Sequence, residues 1–432
     1  MKNRKGRLIL ALCLGAASPV IVFSQSSFWT SVQSLSSGNV QTILTLPGNV
    51  VLVGLYNTGT RPVYGILLST TDGDSWQNSN SGLLDTMLVS SLVRTSDGSI
   101  LAAASTIGMS SMSRVYRSTD GGNSWTAIWE KPFHPLQALT LLSSPVKSII
   151  VGTFAGGIFR STNDGATWSL TYPDYFGNRF IYALASTPVG TILATAPAGG
   201  ILRSTDDGAT WANPIDTLST ESILSIGVSR SGTIFVGTTQ SGVFRSSDDG
   251  MTWSPLSASP HSVNIWALTV TPEGQVFAGT NGGVFRTTDA GEAWEDVSTG
   301  LPSNSHVWAL AVDVTGYLLA GHIEDGLFKS RQVVTATLTS ELAAPLTLGL
   351  GQNYPNPFNP TTTIAYELPA QSHVTLKVFN MLGQEVAVLV DELQTAGYQS
   401  VDFNATGLPS GVYLYRLTAG RFVATKKFVV LK

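Results

Sequence analysis

One eight-residue sequence motif recurs six times along the chain and constrains its fold more than any other feature. The copies occupy residues 69–76, 118–125, 161–168, 204–211, 246–253 and 287–294, and the second, fourth and fifth are the clearest. Each copy ends in tryptophan, and successive tryptophans are 41 to 49 residues apart. A period of this length indicates one supersecondary unit repeated along the chain. Residues that recur in every unit build the fold, so we do not expect them to form a catalytic site.

The motif resembles the Asp box, or BNR repeat, whose pattern is Ser-x-Asp-x-Gly-x-Thr-Trp. The copy at residues 204–211 reads Ser-Thr-Asp-Asp-Gly-Ala-Thr-Trp and matches at every fixed position. The resemblance implies a hairpin turn in which the Asp carboxylate accepts backbone N–H groups, the Gly takes a positive φ and the Trp packs on the next sheet. Thr71 and Asn163 replace the Asp in two copies, and Ala293 replaces the Ser or Thr in another. We expect these turns to form but to be held less tightly.

Short apolar segments surround each copy of the motif and are typical of strands. They are rich in Val, Ile, Phe and Trp and are separated by Gly, Pro, Ser or Asp. Four such strands per unit indicate one blade of a β-propeller. The strand that precedes the motif in each unit occurs seven times, the last copy ending at Ser330. The motif itself occurs six times, because none follows Ser330. The segment from Trp29 resembles the one from Trp294, so we expect the N-terminal strand to complete the last blade and remove an exposed sheet edge.

The chain is therefore predicted to be all-β, with a seven-bladed β-propeller over residues 26–331 and six blades as the next alternative. Residues 332–349 are rich in Thr, Ala and Leu and are predicted to be a linker. Residues 350–432 contain alternating strands separated by Pro-Asn and Gly turns, which predict a small antiparallel β-sandwich.

This C-terminal block closely resembles the sorting domain of the type IX secretion system of Bacteroidetes. The resemblance lies in the Pro-Asn-Pro-Phe-Asn-Pro run at residues 355–360 and in the segments 374–383, 411–416 and 426–432. It implies export across the outer membrane, so the type IX secretion machinery is an expected partner and the location is extracellular or on the cell surface. An ordinary accessory sandwich is the alternative.

Residues 1–24 have the pattern of a secretory signal peptide, with a basic start, an apolar stretch and a small-residue cleavage site. The only cysteine, Cys13, lies in this segment, so the mature chain is predicted to have no disulfide and no thiol nucleophile. Removal of the signal peptide also removes four basic residues and leaves 20 Lys and Arg against 28 Asp and Glu in the mature chain. An acidic chain of this kind is not expected to bind nucleic acid. No later stretch is long and apolar enough to predict a transmembrane segment.

Asp boxes also occur in sialidases, but the arginines of this sequence do not fit that activity. Five of them lie at one repeated position just before the motif: Arg117, Arg160, Arg203, Arg245 and Arg286. Repetition indicates a structural role, whereas a sialidase needs three arginines that converge on a carboxylate. Xyloglucan hydrolases with Asp boxes place catalytic aspartates between two propellers, and one propeller is predicted here. A glycoside hydrolase with an unrecognised carboxylate pair stays as the alternative function, with Asp174, Glu324 and Asp325 as candidates.

No catalytic, metal or cofactor site is predicted. The five histidines are scattered, and His306 and His322 fall in the same repeat unit without the spacing of a metal site. We interpret this pair as solvated loop histidines.

The sequence favours a binding module over an enzyme, with its site on the face opposite the box turns. The loop at residues 172–182 departs most from the repeat, and aromatic loop residues stack on sugar rings or anchor protein partners. Trp266 and Trp308 open inner strands of adjacent blades near the same mouth. The predicted site for a glycan or a protein comprises Tyr172, Tyr175, Phe176, Arg179, Trp266 and Trp308. Packing of these rings within and between blades is the competing interpretation.

Overall fold

A computed structural model describes most of the chain. The described residues are 27–56, 65–84, 87–106, 112–132, 138–144, 148–154, 156–173, 180–196, 200–212, 218, 221–260, 263–303, 305–335, 349–351, 353, 356–368, 371–395, 397–420 and 422–431. The predicted signal peptide lies outside them.

Residues 27–335 form seven small antiparallel sheets. In chain order their strands are β1 (Trp29–Ser31), β2 (Asn39–Leu46), β3 (Val50–Tyr56), β4 (Gly65–Ser69), β5 (Gln77–Asn78), β6 (Met87–Arg94), β7 (Ile100–Thr106), β8 (Met112–Ser118), β9 (Thr126–Pro132), β10 (Ala138–Ser143), β11 (Ile149–Thr153), β12 (Ile158–Ser161), β13 (Ser169–Tyr172), β14 (Leu184–Ser186), β15 (Ile192–Ala196), β16 (Gly200–Ser204), β17 (Ile223–Val228), β18 (Ile234–Thr238), β19 (Val243–Ser246), β20 (Ser254–Pro255), β21 (Ile265–Val270), β22 (Val276–Thr280), β23 (Gly283–Thr287), β24 (Glu295–Asp296), β25 (Val307–Val312), β26 (Tyr317–His322) and β27 (Gly326–Val333). Sheet 1 contains β2–β5, sheet 2 β6–β9, sheet 3 β10–β13, sheet 4 β14–β16, sheet 5 β17–β20, sheet 6 β21–β24, and sheet 7 β25–β27 with β1. One turn of 3₁₀ helix, Gln33–Leu35, is the only helix within the described ranges.

The seven sheets are arranged in a ring, so the predicted all-β propeller is confirmed. The first strand of each sheet lies innermost: β2, β6, β10, β14, β17, β21 and β25 contact one another in that order, and β25 contacts β2. Because each sheet is packed between two others, its second strand is covered on both faces. Strands such as β18 are therefore buried at every position. In the sequence they are continuous apolar runs rather than alternations of apolar and polar residues.

The N-terminal strand lies in sheet 7, where the sequence pattern placed it. Strand β1 pairs with β27, with Trp29 opposite Ser330. The ring of Trp29 is 1% exposed, and its Nε1–H donates to the Val297 carbonyl of sheet 6 at 2.7 Å. The box tryptophan Trp125 makes the same kind of bond, to the Ser79 carbonyl of the preceding sheet at 2.8 Å. Trp29 thus takes the place of a box tryptophan in the sheet that has no box.

The box turns adopt the predicted hairpin and hold it with a repeated set of hydrogen bonds. In the fourth copy Asp206 Oδ1 accepts the Thr210 N–H at 2.9 Å, and Ser204 Oγ accepts the Gly208 N–H at 2.8 Å. The residue before the glycine is left-handed as well, with φ of 59° at Asp207. The copies with Thr71 and Asn163 also form, since each side chain accepts the corresponding N–H, at 3.0 Å and 2.9 Å.

Four of the five repeated arginines reach the neighbouring sheet, and the fifth, Arg286, pairs with Glu295 in its own sheet, so their predicted structural role is confirmed. Arg160 of sheet 3 donates from Nε to the Asp207 carbonyl at 2.6 Å and from Nη2 to the Asp207 carboxylate at 2.7 Å. Arg203 contacts Asp249 of sheet 5 in the same way, and Lys329 of sheet 7 bonds to Asp72 of sheet 1. We call these contacts the inter-sheet latches.

The propeller extends beyond the predicted boundary at residue 331. Strand β27 continues to Val333, and Val334 is 4% exposed in the core of sheet 7. Gln275 Nε2 donates to the Val334 carbonyl at 2.8 Å, and the Thr335 hydroxyl bonds to Glu273. The predicted linker start at residue 332 is too early, because Val334 completes the core of sheet 7.

The C-terminal residues form a β-sandwich of two sheets. Its strands are β28 (Gly349–Leu350), β29 (Thr361–Leu368), β30 (Ser372–Phe379), β31 (Glu385–Gln394), β32 (Gly397–Asn404), β33 (Gly411–Ala419) and β34 (Phe422–Val430). One sheet has the order β28-β29-β32 and the other β31-β30-β33-β34. The core contains Phe358, Phe403 and Phe428, and the buried Tyr415 hydroxyl donates to the Gly351 carbonyl at 2.7 Å.

Candidate binding site at the mouth of the central channel

The two faces of the propeller differ in what their loops carry. The box turns join the third and fourth strands of a sheet, and they share one face with the turns between the first and second strands. The loops between second and third strands, and those between sheets, lie on the opposite face. The inner strands begin on that face, which we call the mouth.

A β-bulge at the mouth end of the inner strand turns one side chain toward the channel in each of sheets 1, 2, 5, 6 and 7. The pairing of β21 with β22 skips from Ile265 to Ala267, and that of β25 with β26 skips from Val307 to Ala309. The skipped residues are Trp266 and Trp308. The same shift occurs in sheets 1, 2 and 5, where the skipped residues are Gln41, Ser90 and Leu224. A bulge re-aims a side chain in this way because the extra residue breaks the two-residue alternation.

These residues line a cavity of about 490 Å³ at the mouth of the channel. The volume lies within the range of roughly 300–1,000 Å³ that is typical of ligand sites. The described lining comprises Gln41, Tyr56, Leu88, Val89, Ser90, Ser105, Phe154, Phe180, Tyr182, Leu224, Trp266 and Trp308. We call this cavity the aromatic pocket. Its described lining includes no Asp, Glu, His, Lys or Arg and therefore carries no formal charge.

Six aromatic rings form two groups on opposite sides of the aromatic pocket. Sheets 6, 7 and 1 contribute Trp266, Trp308 and Tyr56, with ring centroids 5.3 Å apart for the two tryptophans and 6.3 Å apart for Trp308 and Tyr56. The other group belongs to sheets 3 and 4. There Phe180 lies 4.3 Å from Phe154 and stacks on Tyr182 at 5.4 Å with an interplanar angle of 8°.

The polar atoms of the wall are few and mostly sequestered. The Ser105 hydroxyl is bonded to the Ser113 hydroxyl at 3.1 Å, and the Ser90 hydroxyl donates to the Ala103 carbonyl at 3.4 Å. Gln41 Oε1 and the Nε1 atoms of Trp266 and Trp308 are buried and have no hydrogen-bond partner among the described residues. Burial raises the pKa of Tyr182, so its phenol stays protonated at neutral pH. The wall therefore presents mainly aromatic surface.

The structure brings together some of the predicted site residues and separates others. Trp266 and Trp308 line the aromatic pocket. Tyr172 ends the outer strand β13, where it pairs with Ile158 and packs on the core between sheets 3 and 4, and it is not part of the pocket wall. Tyr175, Phe176 and Arg179 lie outside the described residues.

Sequence reasoning missed Gln41, Tyr56, Phe154 and Phe180 as members of the wall. For Gln41 a signal was present: when the seven repeats are aligned on the inner strand, one position reads Gln41, Ser90, Leu139, Tyr182, Leu224, Trp266 and Trp308. That position changes from unit to unit while its neighbours stay alike, which is typical of a position free to serve a ligand.

Two of the three candidate carboxylates of the alternative enzyme reading, Glu324 and Asp325, are not part of the described wall of the pocket. Glu324 and Asp325 lie in the turn between β26 and β27, where the Glu324 N–H donates to Asn39 Oδ1 at 2.7 Å and its carbonyl accepts the Gly38 N–H at 3.1 Å. They thus join sheet 7 to the segment that enters sheet 1. Asp174 is outside the described residues.

His322 is not the solvated loop histidine expected from the sequence. It ends strand β26 and is 4% exposed. Its Nε2 accepts the His306 backbone N–H at 3.0 Å, which leaves the proton of the neutral ring on Nδ1, 3.1 Å from Asp325 Oδ2. Burial lowers the pKa of His322, because desolvation outweighs the attraction of Asp325. Across the described ranges, no group of three or more His, Cys, Asp or Glu side chains could hold a metal ion.

The fold and the sequence motifs together define an Asp-box β-propeller followed by a secretion sorting domain. The family described as photosynthesis system II assembly factor YCF48 matches residues 64–323, more than half of the chain. The chain belongs to this family. The secretion system C-terminal sorting domain matches residues 352–431, and it directs the protein to the cell surface or the exterior through the type IX secretion system.

Solved structures with the same fold come from proteins of different activities. YCF48 from Cyanidioschyzon merolae is 16% identical, with a TM-score of 0.55 over 70% of this chain and 99% of that chain. A structure titled YCF48 bound to D1 peptide is 15% identical, with a TM-score of 0.54 over 71% and 98% of the two chains. The GH74 xyloglucanase of Xanthomonas campestris is 14% identical, with a TM-score of 0.56 over 92% and 74%. At these identities the likeness shows the fold alone.

No curated protein sequence matches the chain. In the part of the chain that the structure describes, no helix is long and apolar enough to cross a membrane.

Proposed function

We propose that this protein is a secreted or surface-displayed binding module whose ligand, a glycan or a segment of another protein, enters the aromatic pocket. The observation that carries the proposal is the wall itself: six aromatic rings converge there, contributed by five different sheets. Packing of the propeller does not require this convergence, because the equivalent positions in sheets 1 and 2 carry Gln41 and Ser90.

Binding fits this wall better than hydrolysis does. Hydrolysis of a glycosidic bond requires an acid and a base or nucleophile, usually two carboxyl groups about 5–10 Å apart. The described wall offers none, whereas aromatic side chains supply large contact areas at interfaces. A YCF48 of the same family has been solved bound to the D1 peptide, so the family includes a peptide-binding propeller.

The test is a glycan array and a peptide array probed with the wild-type protein and the Trp308→Ala variant, beside a hydrolysis screen on polysaccharides. We expect retention on one class of immobilised ligand and loss of that retention in Trp308→Ala by tenfold or more, since about 1.5–3 kcal/mol of aromatic contact is removed. Met251→Ala is the matched control, because Met251 lies in the box turn of sheet 5 on the opposite face and is 49% exposed.

Retention that is unchanged in Trp308→Ala places the site elsewhere and contradicts the proposal. Turnover of a polysaccharide by the wild-type protein would support the alternative, an extracellular glycoside hydrolase.

A further inference from the structure

We propose that the amine of Lys329 and the carboxyl group of Asp72 condense to a covalent amide bond, which joins sheet 7 to sheet 1 and locks the propeller ring. The two residues are 257 positions apart in the chain. They meet at the junction where the last sheet of the propeller contacts the first. The inference concerns a modification of the protein itself, so it does not depend on the ligand of the aromatic pocket.

This junction departs from the repeated inter-sheet latch at two positions. The first is the basic residue of the third strand, which is arginine in sheets 2 to 6 and Lys329 in sheet 7. The second opens the turn between the first and second strands, where its backbone N–H donates to the carbonyl four residues on. That position is a carboxylate, Asp313, in sheet 7 and a hydroxyl residue in sheets 2 to 6. The hydroxyl residues are Thr95, Ser144, Thr187, Ser229 and Thr271.

The two departures place an amine between two carboxylates. Lys329 Nζ is hydrogen-bonded to Asp72 Oδ2 and lies 3.0 Å from Asp313 Oδ2. Asp313 Oδ1 accepts the N–H groups of Thr315 and Tyr317 at 2.8 Å and 2.9 Å, which leaves Oδ2 to face the amine. The Asp313 side chain is 1% exposed, and those of Lys329 and Asp72 are 19% exposed. We call Lys329, Asp72 and Asp313 the closing triad.

The contact within the closing triad makes condensation an intramolecular reaction. Groups held together in this way react as if at a very high effective concentration. The amine also lies over the Tyr317 ring, 4.7 Å from its centroid, so an aromatic surface replaces water on that side. Exclusion of water favours the amide, because water is the product that would reverse the reaction.

The second oxygen of Asp72 favours a neutral product. Asp72 Oδ1 is buried and has no hydrogen-bond partner among the described residues. A buried carboxylate oxygen without a donor is unfavourable, whereas an amide carbonyl in its place carries no charge. Burial raises the pKa of Asp72 despite its hydrogen bond to Lys329, and the charge of Asp313 adds to the increase. The protonated acid, which is the electrophile in the condensation, is therefore easier to reach than in an exposed aspartate.

Asp313 acts as the proton carrier. Burial alone would lower the pKa of Lys329, but its bonds to the two carboxylates outweigh burial and raise the pKa. The amine therefore gives its proton to a carboxylate of the closing triad rather than to water. Proton transfer by a positioned carboxylate is general acid–base catalysis.

The reaction balances without any other reactant. Nζ transfers one proton to Asp72 along their hydrogen bond, and the neutral amine attacks Asp72 Cγ while the C=O electron pair moves to oxygen. Asp313 takes a second proton from the nitrogen and delivers it to the departing hydroxyl group, which leaves as water when the carbonyl re-forms. The ammonium and carboxylate charges cancel, Asp313 ends as the carboxylate it began, and nothing is oxidised or reduced.

The latch between sheets 4 and 5 shows why the other latches stay ionic. Arg203 pairs there with Asp249, and the Thr187 hydroxyl takes the place of Asp313 and donates to Asp249 Oδ1 at 2.8 Å. A guanidinium group keeps its charge and does not become a free amine. That latch therefore has neither the nucleophile nor the proton carrier of the closing triad.

The test is intact-mass measurement and tryptic peptide mapping of the purified full-length protein beside Lys329→Arg. We expect the wild-type protein to be lighter by one water molecule than the linear chain of the same residues. Its map should contain a branched peptide, and fragmentation should place the branch between Lys329 and Asp72. Lys329→Arg restores the residue of the other latches, so it should have the mass of its linear chain and no branched peptide.

Asp313→Thr tests the proton carrier while Lys329 and Asp72 are both kept. Threonine holds this place in sheets 2, 4 and 6, so the turn should form, and a cooperative melting transition shows that the variant is folded. We expect its branched peptide to fall below about a tenth of the wild-type fraction, because general acid–base catalysis is lost. A branched fraction equal to that of wild type would overturn the role of Asp313.

An ion pair in the sandwich provides an internal control in the same digest. Lys377 Nζ lies 3.0 Å from Glu385 Oε2, but both side chains are exposed and no second carboxylate is recorded at the amine. This pair should stay unlinked. A branch there as well would show that the bond forms without a closing triad and would contradict the inference.

Two further results would overturn the proposal. The first is a wild-type protein with the mass of its linear chain and unmodified Lys329 and Asp72 peptides. The second is loss of water without a branched peptide, since Asp72 precedes Gly73 and can cyclise onto the backbone.

Discussion

The carboxylate of Asp206 shows which hydrogen bonds the box turn requires from a single side chain. Its Oδ1 accepts the Thr210 N–H at 2.9 Å and its Oδ2 accepts the Thr210 hydroxyl at 2.6 Å. In another copy the amide of Asn163 does the same work, with Oδ1 accepting the Thr167 N–H at 2.9 Å and Nδ2 donating to the Thr167 hydroxyl at 2.8 Å. The turn therefore needs the oxygen acceptor at this position more than it needs the charge.

Asp206→Asn should leave the free energy of unfolding within a few tenths of a kcal/mol at pH 7, whereas Asp206→Ala should lower it by about 1 kcal/mol through the lost hydrogen bonds. Urea unfolding of both variants measures the difference. The hydrogen bond from the Thr210 hydroxyl lowers the pKa of Asp206 to about 2. Its ionised form thus stabilises the fold above pH ~4, the unfolded pKa, and this contribution is lost as pH falls toward 2. Equal losses in both variants would contradict this account.

His322 should make the stability of the propeller sensitive to mild acid. The folded protein holds the ring neutral, because burial lowers its pKa and Nε2 accepts the His306 N–H. The unfolded chain takes up a proton near pH 6.5. The stabilisation is therefore complete above about pH 6.5 and declines as the pH is lowered below it. His322→Gln removes the titration, so its melting temperature should change less between pH 7.5 and pH 5.5 than that of wild type. Parallel pH profiles for the two proteins would rule His322 out as the cause.

Strands and turns could be predicted from the sequence because each is specified locally and repeated. The six boxes, the seven third strands and the resemblance of the Trp29 segment to the Trp294 segment led to the observed sheets. The bulges could not be predicted. Each sheet is covered on both faces, so its apolar residues do not alternate, and no single inner strand taken alone marks where the register shifts by one residue. Tyr56 and Phe154 lie at or just after the ends of second strands, and their orientation was missed because the apolar residues of those strands do not alternate.

Strand β1 is the element on which ring closure depends most. Trp29→Ala should lower the free energy of unfolding by about 3–5 kcal/mol, since a fully buried tryptophan is truncated in the core of sheet 7. Trp29→Phe retains most of the burial but loses the N–H bond to Val297, so it should cost less. Calorimetry on both variants gives the comparison. A melting temperature unchanged by Trp29→Ala would show that the ring closes without β1.

The whole molecule combines a ring that folds through repeated contacts with a sandwich that carries an export signal. A chain that ends at Ser340 retains the propeller residues and lacks the sorting domain, which matches residues 352–431. We expect this chain to fold and to stay in the periplasm, and we expect residues 350–432 to carry a fused reporter outside the cell. Fractionation with immunodetection measures both. Normal secretion of the truncated chain would contradict the assignment of export to this domain.

The central claim is that repeated positions fold the ring and the varied positions at the mouth bind the ligand. The most direct test measures melting temperature and ligand retention on the arrays for two variants side by side, Trp308→Ala in the pocket and Arg160→Ala in an inter-sheet latch. Arg160→Ala should lower stability by about 2 kcal/mol through its lost bonds to Asp207 and keep ligand retention below its melting point. Trp308→Ala should lose retention and melt within a few degrees of wild type, about the shift expected for 1 kcal/mol. Loss of retention in folded Arg160→Ala together with full retention in Trp308→Ala would contradict the claim.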